Sequence, residues 1–441
     1  MGRVDRNQPS GLSAPPALPA EKTDSFVRST PVVRFVDTMI RAAVDGGASD
    51  IHLENTDGEL RVRYRVDGRL RRTRTAPRSQ RNAIISRLKV MAEMDVSVRR
   101  RAQDGSFVLE HGGRRLAFRV STLPAGQGEK AVVRILDSRA APTGLDQLGM
   151  GPADLKNVRE ILHGGHGALL VSGPTGSGKS TTVYAALQEL DRESSNVVTL
   201  EDPVEYELPG ASQVQVDRKA GLGFADALRA ILRQDPDIVM VGEIRDPETA
   251  EIAMSAASTG HLVLSTIHTT DAPGAVMRLL DMNVPPFLVA GGLSGIVSQR
   301  LVGRLCPACG GPGCDSCRHE GHKGRTGIFQ VLVVDEAFRE AISRGQSTTT
   351  LRRLAVKRGM GTLAQDARRA LTAGLSGPLE LRDLLGTAKG EEAVCRLCDA
   401  MLPPDAGGCP MCGRSTGGRC GCGREVERRW LYCPWCLSSL R

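Results

Sequence analysis

The chain of 441 residues carries a formal net charge of +8, and 40% of its residues are hydrophobic but only 3% aromatic. Such a length suits two or three domains, each burying its own core, while the shortage of aromatic side chains argues against a stacking platform for single-stranded nucleic acid. No window of about 18 uninterrupted apolar residues offers a membrane span, and the N-terminus lacks a signal-peptide pattern, so the expectation is a soluble, cytoplasmic chain with no transmembrane segment.

Residues 1–30 hold Pro9, Pro15, Pro16 and Pro19 and show no apolar period, so a flexible arm is expected there. From Val32 an apolar period predicts a helix over 32–43. Residues 60–66 alternate as a half-buried strand does, Asp67-Gly68 supplies a turn, and Leu70 resumes the alternation. A helix over about 80–94 follows, then strands over 106–110 and 115–120 separated by His111-Gly112-Gly113, which together make a small α+β domain over 31–140. Basic residues far outnumber acidic ones from Arg61 to Arg101. Such a run is a solvated surface, a set of arginines aimed at a neighbouring subunit's phosphates, or a contact for nucleic acid or anionic lipid, and the sequence leaves these open.

Beyond residue 143 the pattern changes. Apolar runs at 168–171, 197–200, 238–241 and 262–267 alternate with helical stretches at 179–190, 224–233 and 247–258. This spacing predicts βαβ units and a mostly parallel sheet, within an α/β domain over 141–390. Helices are expected to continue to about residue 385, interrupted by a four-cysteine insertion at 304–325. The Gly, Cys and Pro-rich tail over 391–441 is too short and polar to fold on an apolar core alone.

The segment Gly173-Pro174-Thr175-Gly176-Ser177-Gly178-Lys179-Ser180-Thr181 follows a strand and opens a helix, which is the context a P-loop requires. Its glycines let backbone N–H groups curl around the phosphates of ATP, Lys179 reaches the β and γ oxygens, and the Ser180 hydroxyl ligates Mg²⁺. Ligands of an open parallel sheet lie at the carboxyl ends of its strands. Those ends are Glu201-Asp202, Gly242-Glu243 and His268-Thr269-Thr270-Asp271. Glu243 is the preferred carboxylate for holding the Mg²⁺ shell or polarising the attacking water, with Glu201 as its assistant and His268 as a hydrogen-bonding sensor of the γ-phosphate. His261 opens its strand at the far end and is expected to be structural.

The 12 cysteines fall into three sets of four. Cys306, Cys309, Cys314 and Cys317 form one set; Cys395, Cys398, Cys409 and Cys412, then Cys420, Cys422, Cys433 and Cys436, form a double zinc ribbon in the tail. Paired C-x-x-C turns complete a closed tetrathiolate Zn²⁺ site, and bound metal supplies folding energy that a small core lacks.

Several segments together resemble the ATPases of type II secretion and type IV pilus assembly machines (GspE/PilB type). They are the P-loop, Thr199-Leu200-Glu201-Asp202-Pro203-Val204-Glu205, the run from Leu232 through Gly242-Glu243-Ile244-Arg245-Asp246, and Ser258-Thr259-Gly260-His261 through His268-Thr269. Upstream, Ala48-Ser49-Asp50-Ile51-His52 and Arg61-Val62-Arg63-Tyr64-Arg65-Val66-Asp67-Gly68 resemble that family's second N-terminal domain. The resemblance spans roughly residues 32 to 385. It implies a RecA-like P-loop core preceded by a PAS-like α+β domain, assembled as a homo-hexamer. The implied partner is an inner-membrane platform protein, and the implied location is cytoplasmic and peripheral to that membrane, where ATP hydrolysis drives pilin or pseudopilin assembly. In such rings arginines of the small domain reach a neighbour's phosphates, and Arg119 is the first choice here. Ser106 and Lys130 stand where the family usually has arginines. The four-cysteine insertion is shared with assembly-type members. The alternative is a DNA-linked motor that grips nucleic acid with its basic domain and ribbons.

Overall fold

A computed structural model describes residues 31–136, 144–217 and 220–387, together with tail positions 393–394, 401–402, 418–419, 422 and 425–426. The expected arm over 1–30 and every tail cysteine except Cys422 lie outside the described residues. The chain divides into two units, residues 1–137 and 138–441.

The first unit contains α1 (Pro31–Asp45), β1 (Ala48–Asn55), β2 (Glu59–Val66), β3 (Arg69–Pro77), α2 (Arg81–Met91), β4 (Gln103–His111), β5 (Arg114–Ala125) and β6 (Gly128–Leu136). Its strands form one antiparallel sheet in the order β3-β2-β1-β6-β5-β4. Alternation in β2 buries Leu60, Val62, Tyr64 and Val66, so Arg61, Arg63 and Arg65 point to the opposite face. The apolar stripe of α1 (Val36, Met39, Ile40, Ala43) and Ile84, Ile85 and Leu88 of α2 share that core with Leu116, Phe118 and Val120 of β5. The Tyr64 hydroxyl, buried with it, donates to the Met39 carbonyl at 2.7 Å. Strand β1 buries Ile51 and Leu53 but turns His52 and Glu54 to the other face; this polarity hid it from a search for apolar runs.

The second unit opens with α3 (Pro152–His163), β7 (Gly167–Ser172), α4 (Lys179–Glu189), β8 (Val197–Glu201), β9 (Ala211–Gln215) and α5 (Phe224–Ile231). It continues through β10 (Ile238–Val241), α6 (Pro247–Ser258), β11 (Leu262–Ile267), α7 (Ala272–Asp281) and α8 (Pro286–Gly292). Two long strands, β12 (Leu293–Leu305) and β13 (His322–Val333), precede α9 (Glu336–Ser343), α10 (Thr348–Lys357), α11 (Leu363–Thr372) and α12 (Pro378–Thr387). The sheet order is β13-β12-β7-β11-β10-β8-β9, parallel throughout except for β13. Every residue of β7, β8, β10 and β11 is buried, because helices cover both faces. Each large aliphatic side chain buried there contributes roughly 1.5–3 kcal/mol.

The helices expected up to about residue 385 form as α7–α12, except immediately on either side of the cysteine insertion. Residues 293–305 and 322–333 are strands that pair antiparallel from Gly295↔Val333 to Leu305↔His322, with the cysteines at the tip of the hairpin. Covered on both faces along much of its length, β12 shows no period of two, and its apolar pairs Ile296-Val297 and Leu301-Val302 mimic helical spacing. The end of the hairpin beside the cysteine tip is fixed by Glu380 of α12, which accepts from Gly303 N (3.0 Å), and by Ser376, which donates to the Gly303 carbonyl (2.7 Å).

A carboxylate pair lies between α3 and α11. Asp366 accepts from Phe329 N (2.8 Å) and Arg369 Nε (2.5 Å). Burial, with the adjacent Asp366 charge, pushes Asp154 up to about 6 against the pull of Arg369. The folded state therefore holds this proton more tightly than the unfolded chain, so stability falls as pH rises through the interval from about 4 to 6. Asp154→Asn is expected to raise stability at pH 7 by about 1 kcal/mol, after discounting for partial exposure. Near pH 3 the substitution should be neutral, and thermal melts at the two pH values check this.

Candidate nucleotide site

Strand register assembles the site. Ser172, the last residue of β7, pairs with Ile267 of β11 and Ser298 of β12, while Val241 of β10 pairs with Ser265. The residues one or two beyond these pairs therefore emerge together at one sheet edge: Gly173, Glu243, His268 and Gln299.

Gly173 and Gly178 are fixed as glycine. A Cβ on Gly173 would lie 2.5 Å from Ser177 Oγ and 2.6 Å from the Gln299 carbonyl oxygen. Gly178 caps α4 with a left-handed φ of 87°. The loop turns through Ser177 N donating to the Pro174 carbonyl (3.2 Å), and Lys179 Nζ donates to the carbonyls of Gly173 and Pro174, both at 3.1 Å. Pro174, Thr175 and Gly176 are exposed at the rim, whereas Ser177 is buried with its hydroxyl unpartnered. Ser180 and Thr181, half-buried in the first turn of α4, make no side-chain hydrogen bond among the described residues. This cradle, with a cation at its mouth and free hydroxyls on the first helical turn, fits a polyphosphate and its Mg²⁺.

Three features hold Glu243 rigidly. Gly242 N donates to the Leu200 carbonyl (2.8 Å), Ile244 N donates to the Thr266 carbonyl (2.9 Å), and Thr266 Oγ1 donates to the Gly242 carbonyl (2.8 Å). Three residues later Asp246 caps α6 through Thr249 N at 2.8 Å, with Pro247 at the first helical position. The Glu243 carboxylate lies 2.5 Å from Arg245 Nε and 3.9 Å from His268 Nε2. Burial lowers the Lys179 pKa; Glu243 opposes that shift and Arg300 reinforces it. These three side chains, Lys179, Glu243 and His268, thus share one electrostatic environment.

Glu201 occupies a different place. Its carboxylate is buried and accepts from Tyr184 OH of α4 (2.5 Å), Thr199 Oγ1 (2.7 Å) and Gln213 Nε2 (3.2 Å). Burial and this carboxylate together push the Tyr184 phenol well above its ordinary value. Glu201 consequently ties the P-loop helix to β8 and β9. His261, as anticipated from its position, is taken up structurally, donating from Nδ1 to the Ala256 carbonyl (3.0 Å). In the first unit, Arg119 is exposed on β5, between Ser106 of β4 and Arg134 of β6 in register, and Lys130 is paired with Glu54 at 3.2 Å.

At the hairpin tip the sulfurs of Cys306, Cys309, Cys314 and Cys317 lie within 4.8 Å of one another. The separations of Cys306–Cys314, Cys309–Cys317 and Cys314–Cys317 are 3.9, 3.8 and 3.8 Å. A tetrahedron with zinc–sulfur bonds of ~2.3 Å has edges of ~3.8 Å, so the set fits Zn²⁺. Burial opposes the Cys317 thiolate, but N–H groups of Cys314 and Gly321 aimed at its sulfur bring it down to about 6.

Residues 26–386 match the family model described as "Type II/IV secretion system protein". The chain belongs to this family. Among its relatives, the type II secretion system protein HxcR of Pseudomonas aeruginosa is 47% identical over 352 residues, covering 78% of this chain and 75% of that protein. The type II secretion system ATPase E of Vibrio cholerae is 46% identical over 337 residues, covering 71% and 67%. Among solved structures, the pilus retraction motor PilT with bound ADP is 29% identical with a TM-score of 0.57, covering 78% of this chain and 95% of that one. The Legionella pneumophila ATPase DotB, at 23% identity and a TM-score of 0.64 over 82% and 98%, shares the fold. This secretion-family protein is accordingly an ATP hydrolase with a RecA-like core.

Two residues of the secretion ATPase site were missed from the sequence. Gln299 Nε2 donates to the Ser177 carbonyl (2.7 Å) while its Oε1 accepts from Thr182 Oγ1 (2.7 Å), bracing the P-loop from β12. Arg300 donates to the carbonyls of Gln299 (2.9 Å) and Thr270 (2.7 Å) beside Lys179. The only available signal was the polar triplet Ser298-Gln299-Arg300 inside an apolar run.

His268 is held below the ordinary histidine value by burial first, then by Lys179 and Arg245, with Glu243 opposing. It is therefore neutral at pH 7 and able to donate one hydrogen bond. ATPase activity is expected to fall on acidification with a midpoint below about 6.5, and His268→Ala should remove that inflection from the kcat/KM profile.

Proposed function

We propose that this secretion ATPase is the Mg²⁺-dependent motor that powers pilin or pseudopilin assembly in a type II secretion or type IV pilus system. It works as a homo-hexamer on an inner-membrane platform protein, at the cytoplasmic side. The observation that carries the mechanism is the convergence of Lys179, Glu243 and His268 at one sheet edge beside the P-loop. The described residues contain no helix long and apolar enough to cross a membrane, which suits a peripheral motor.

In this mechanism the backbone N–H groups of Thr175, Gly176 and Gly178 to Thr181 and the Lys179 ammonium bind the β and γ phosphates, and Ser180 would hold Mg²⁺. When bound, Mg²⁺ neutralises charge on the transferring phosphoryl oxygens. Glu243 orients the attacking water and draws off its proton. Neutral His268 donates to a γ-phosphate oxygen, so that loss of that group changes its hydrogen bonding. Glu201 acts as a positioning residue, fixing α4 through Tyr184. Arg119 contributes to the neighbouring protomer's phosphates, while Ser106 brings no charge and Lys130, paired with Glu54, lacks the forked donors of an arginine.

The four-cysteine tip supports an assembly motor, with Zn²⁺ closing a hairpin that has little core of its own. Purified protein is expected to contain zinc, and a Cys306→Ser/Cys317→Ser variant to lose about one equivalent by elemental analysis while the P-loop still binds nucleotide.

The alternative of a DNA-linked motor finds no support among these relatives. A deletion strain complemented with this chain should regain secretion or surface pili, and a strain given Glu243→Gln should not. ATPase turnover stimulated by duplex DNA and indifferent to the platform protein would replace the assembly reading with the DNA one.

A further inference from the structure

The basic stretch noted between Arg61 and Arg101 separates into two populations. On β2 and β3 the arginines meet carboxylates: Arg63 with Glu54 at 2.8 Å, Arg65 with Asp50 at 3.6 Å, and Arg72 with Glu59 at 2.7 Å. The side chains of Arg78, Arg81, Arg99 and Arg100 make no hydrogen bond or ion pair with any described residue, yet all four line one cavity of about 590 Å³.

The cavity lies within the first unit, walled by the start of α2, the segment that follows α2, and the turn between β5 and β6. Its two acidic lining residues are already engaged. Asp57 accepts from the Gln127 side-chain amide, and Glu129 is paired with Lys89. Lys89 is itself buried, and it also donates to the Val98 carbonyl at 2.7 Å. The same lysine therefore ties two walls together, the β5–β6 turn and the segment leading to Arg99. Four guanidinium groups gathered around one concavity without a counter-charge repel one another, and an anion with several oxygens relieves that repulsion while using the forked donors.

We propose that this cavity binds a phosphate-bearing anion, at a site separate from the P-loop. Its volume suits a small phosphorylated ligand, and the nearby turn offers the unhindered backbone of Gly126. The recognised chemistry is a cluster of phosphate oxygens, whether on a free polyphosphate or on a lipid headgroup. The proposal does not depend on the assembly-motor reading.

Inorganic tripolyphosphate titrated into the full chain carrying Lys179→Ala, which weakens the P-loop as a competing site, provides the test by calorimetry. Arg99→Gln/Arg100→Gln should weaken binding at least tenfold, and Arg78→Gln/Arg81→Gln, on the other wall, should do the same. Each pair is exposed or half-buried and unpaired, so both variants should melt with the parent. Phosphatidylglycerol vesicles, compared with phosphatidylcholine ones, form the second arm. A loss of vesicle binding in both variants, with tripolyphosphate unaffected, assigns the ligand to a headgroup; the reverse assigns it to a free phosphate. If both variants bind both probes as the parent does, or if only duplex DNA binding responds to them, the proposal is overturned.

Discussion

Glu243→Gln is expected to lower kcat for ATP hydrolysis by roughly 10²–10⁴-fold, the usual contribution of a positioned general base. That corresponds to about 3–5 kcal/mol of transition-state stabilisation. Glutamine keeps the volume and one acceptor oxygen of the side chain but cannot take a proton from water. Because the backbone on both sides of residue 243 is clamped through Leu200 and Thr266, the substituted side chain should remain in place. Its pair with Arg245 involves an arginine whose side chain is 65% exposed, so the loss of that pair should cost less than about 1 kcal/mol. The discriminating measurement is the split between steps: KM for ATP within about threefold of the parent, with kcat collapsed. A KM that rises as much as kcat falls would instead make Glu243 a binding residue.

Lys179→Ala is expected to abolish turnover, by about 10³-fold or more, and to weaken nucleotide binding as well, because the ammonium serves both ground state and transition state. Folding should survive. The lysine is held by two loop carbonyls, and burial already works against its charge, so its removal takes away no strong native interaction. The parent should gain thermal stability when ATP and Mg²⁺ are added, as any ligand of the native state confers, and the variant should gain far less. An equal rise in both would mean that the principal nucleotide site lies elsewhere in the chain. Together the two variants separate phosphate binding, centred on α4, from hydrolysis, centred on the end of β10.

The legible parts of the site share a property. Gly173 to Thr181 is contiguous, so its chemistry is written in one stretch of sequence. Glu243 and His268 were found because a buried parallel strand is a short apolar run, and the first polar residues after it fall at the ligand-binding edge. The structure adds two local features of the same kind: Asp246 and Asp271 cap the helices that follow them, each with an early proline.

The other residues required information that no single segment holds. Gln299 reaches the P-loop only because β12 pairs in parallel with β7 at Ser298↔Ser172, a register set by packing between segments more than a hundred residues apart. Strands β12 and β13 read as helical in the sequence, since burial on both faces over much of their length removes the alternation that marks a strand. Glu201 ends its strand much as Glu243 follows its own, but its carboxylate turns into the protein and is satisfied by Tyr184, Thr199 and Gln213. For a residue at a strand end, sequence gives the position along the chain, while the neighbouring helix and strand decide which donors its side chain meets. The basic stretch divides in the same way, for only the fold shows that Asp50, Glu54 and Glu59 lie opposite one group of arginines and leave four others around a cavity.

By itself, then, the sequence determined the class of chemistry, through a nucleotide loop, two strand-end side chains and four closely spaced cysteines, all of which depend on near neighbours in the chain. Tertiary structure decided which carboxylate lies beside Lys179 and His268, which strand braces the loop, and which charges among the described residues remain without partners. Those outcomes depend on register and burial, which arise only when distant segments pack.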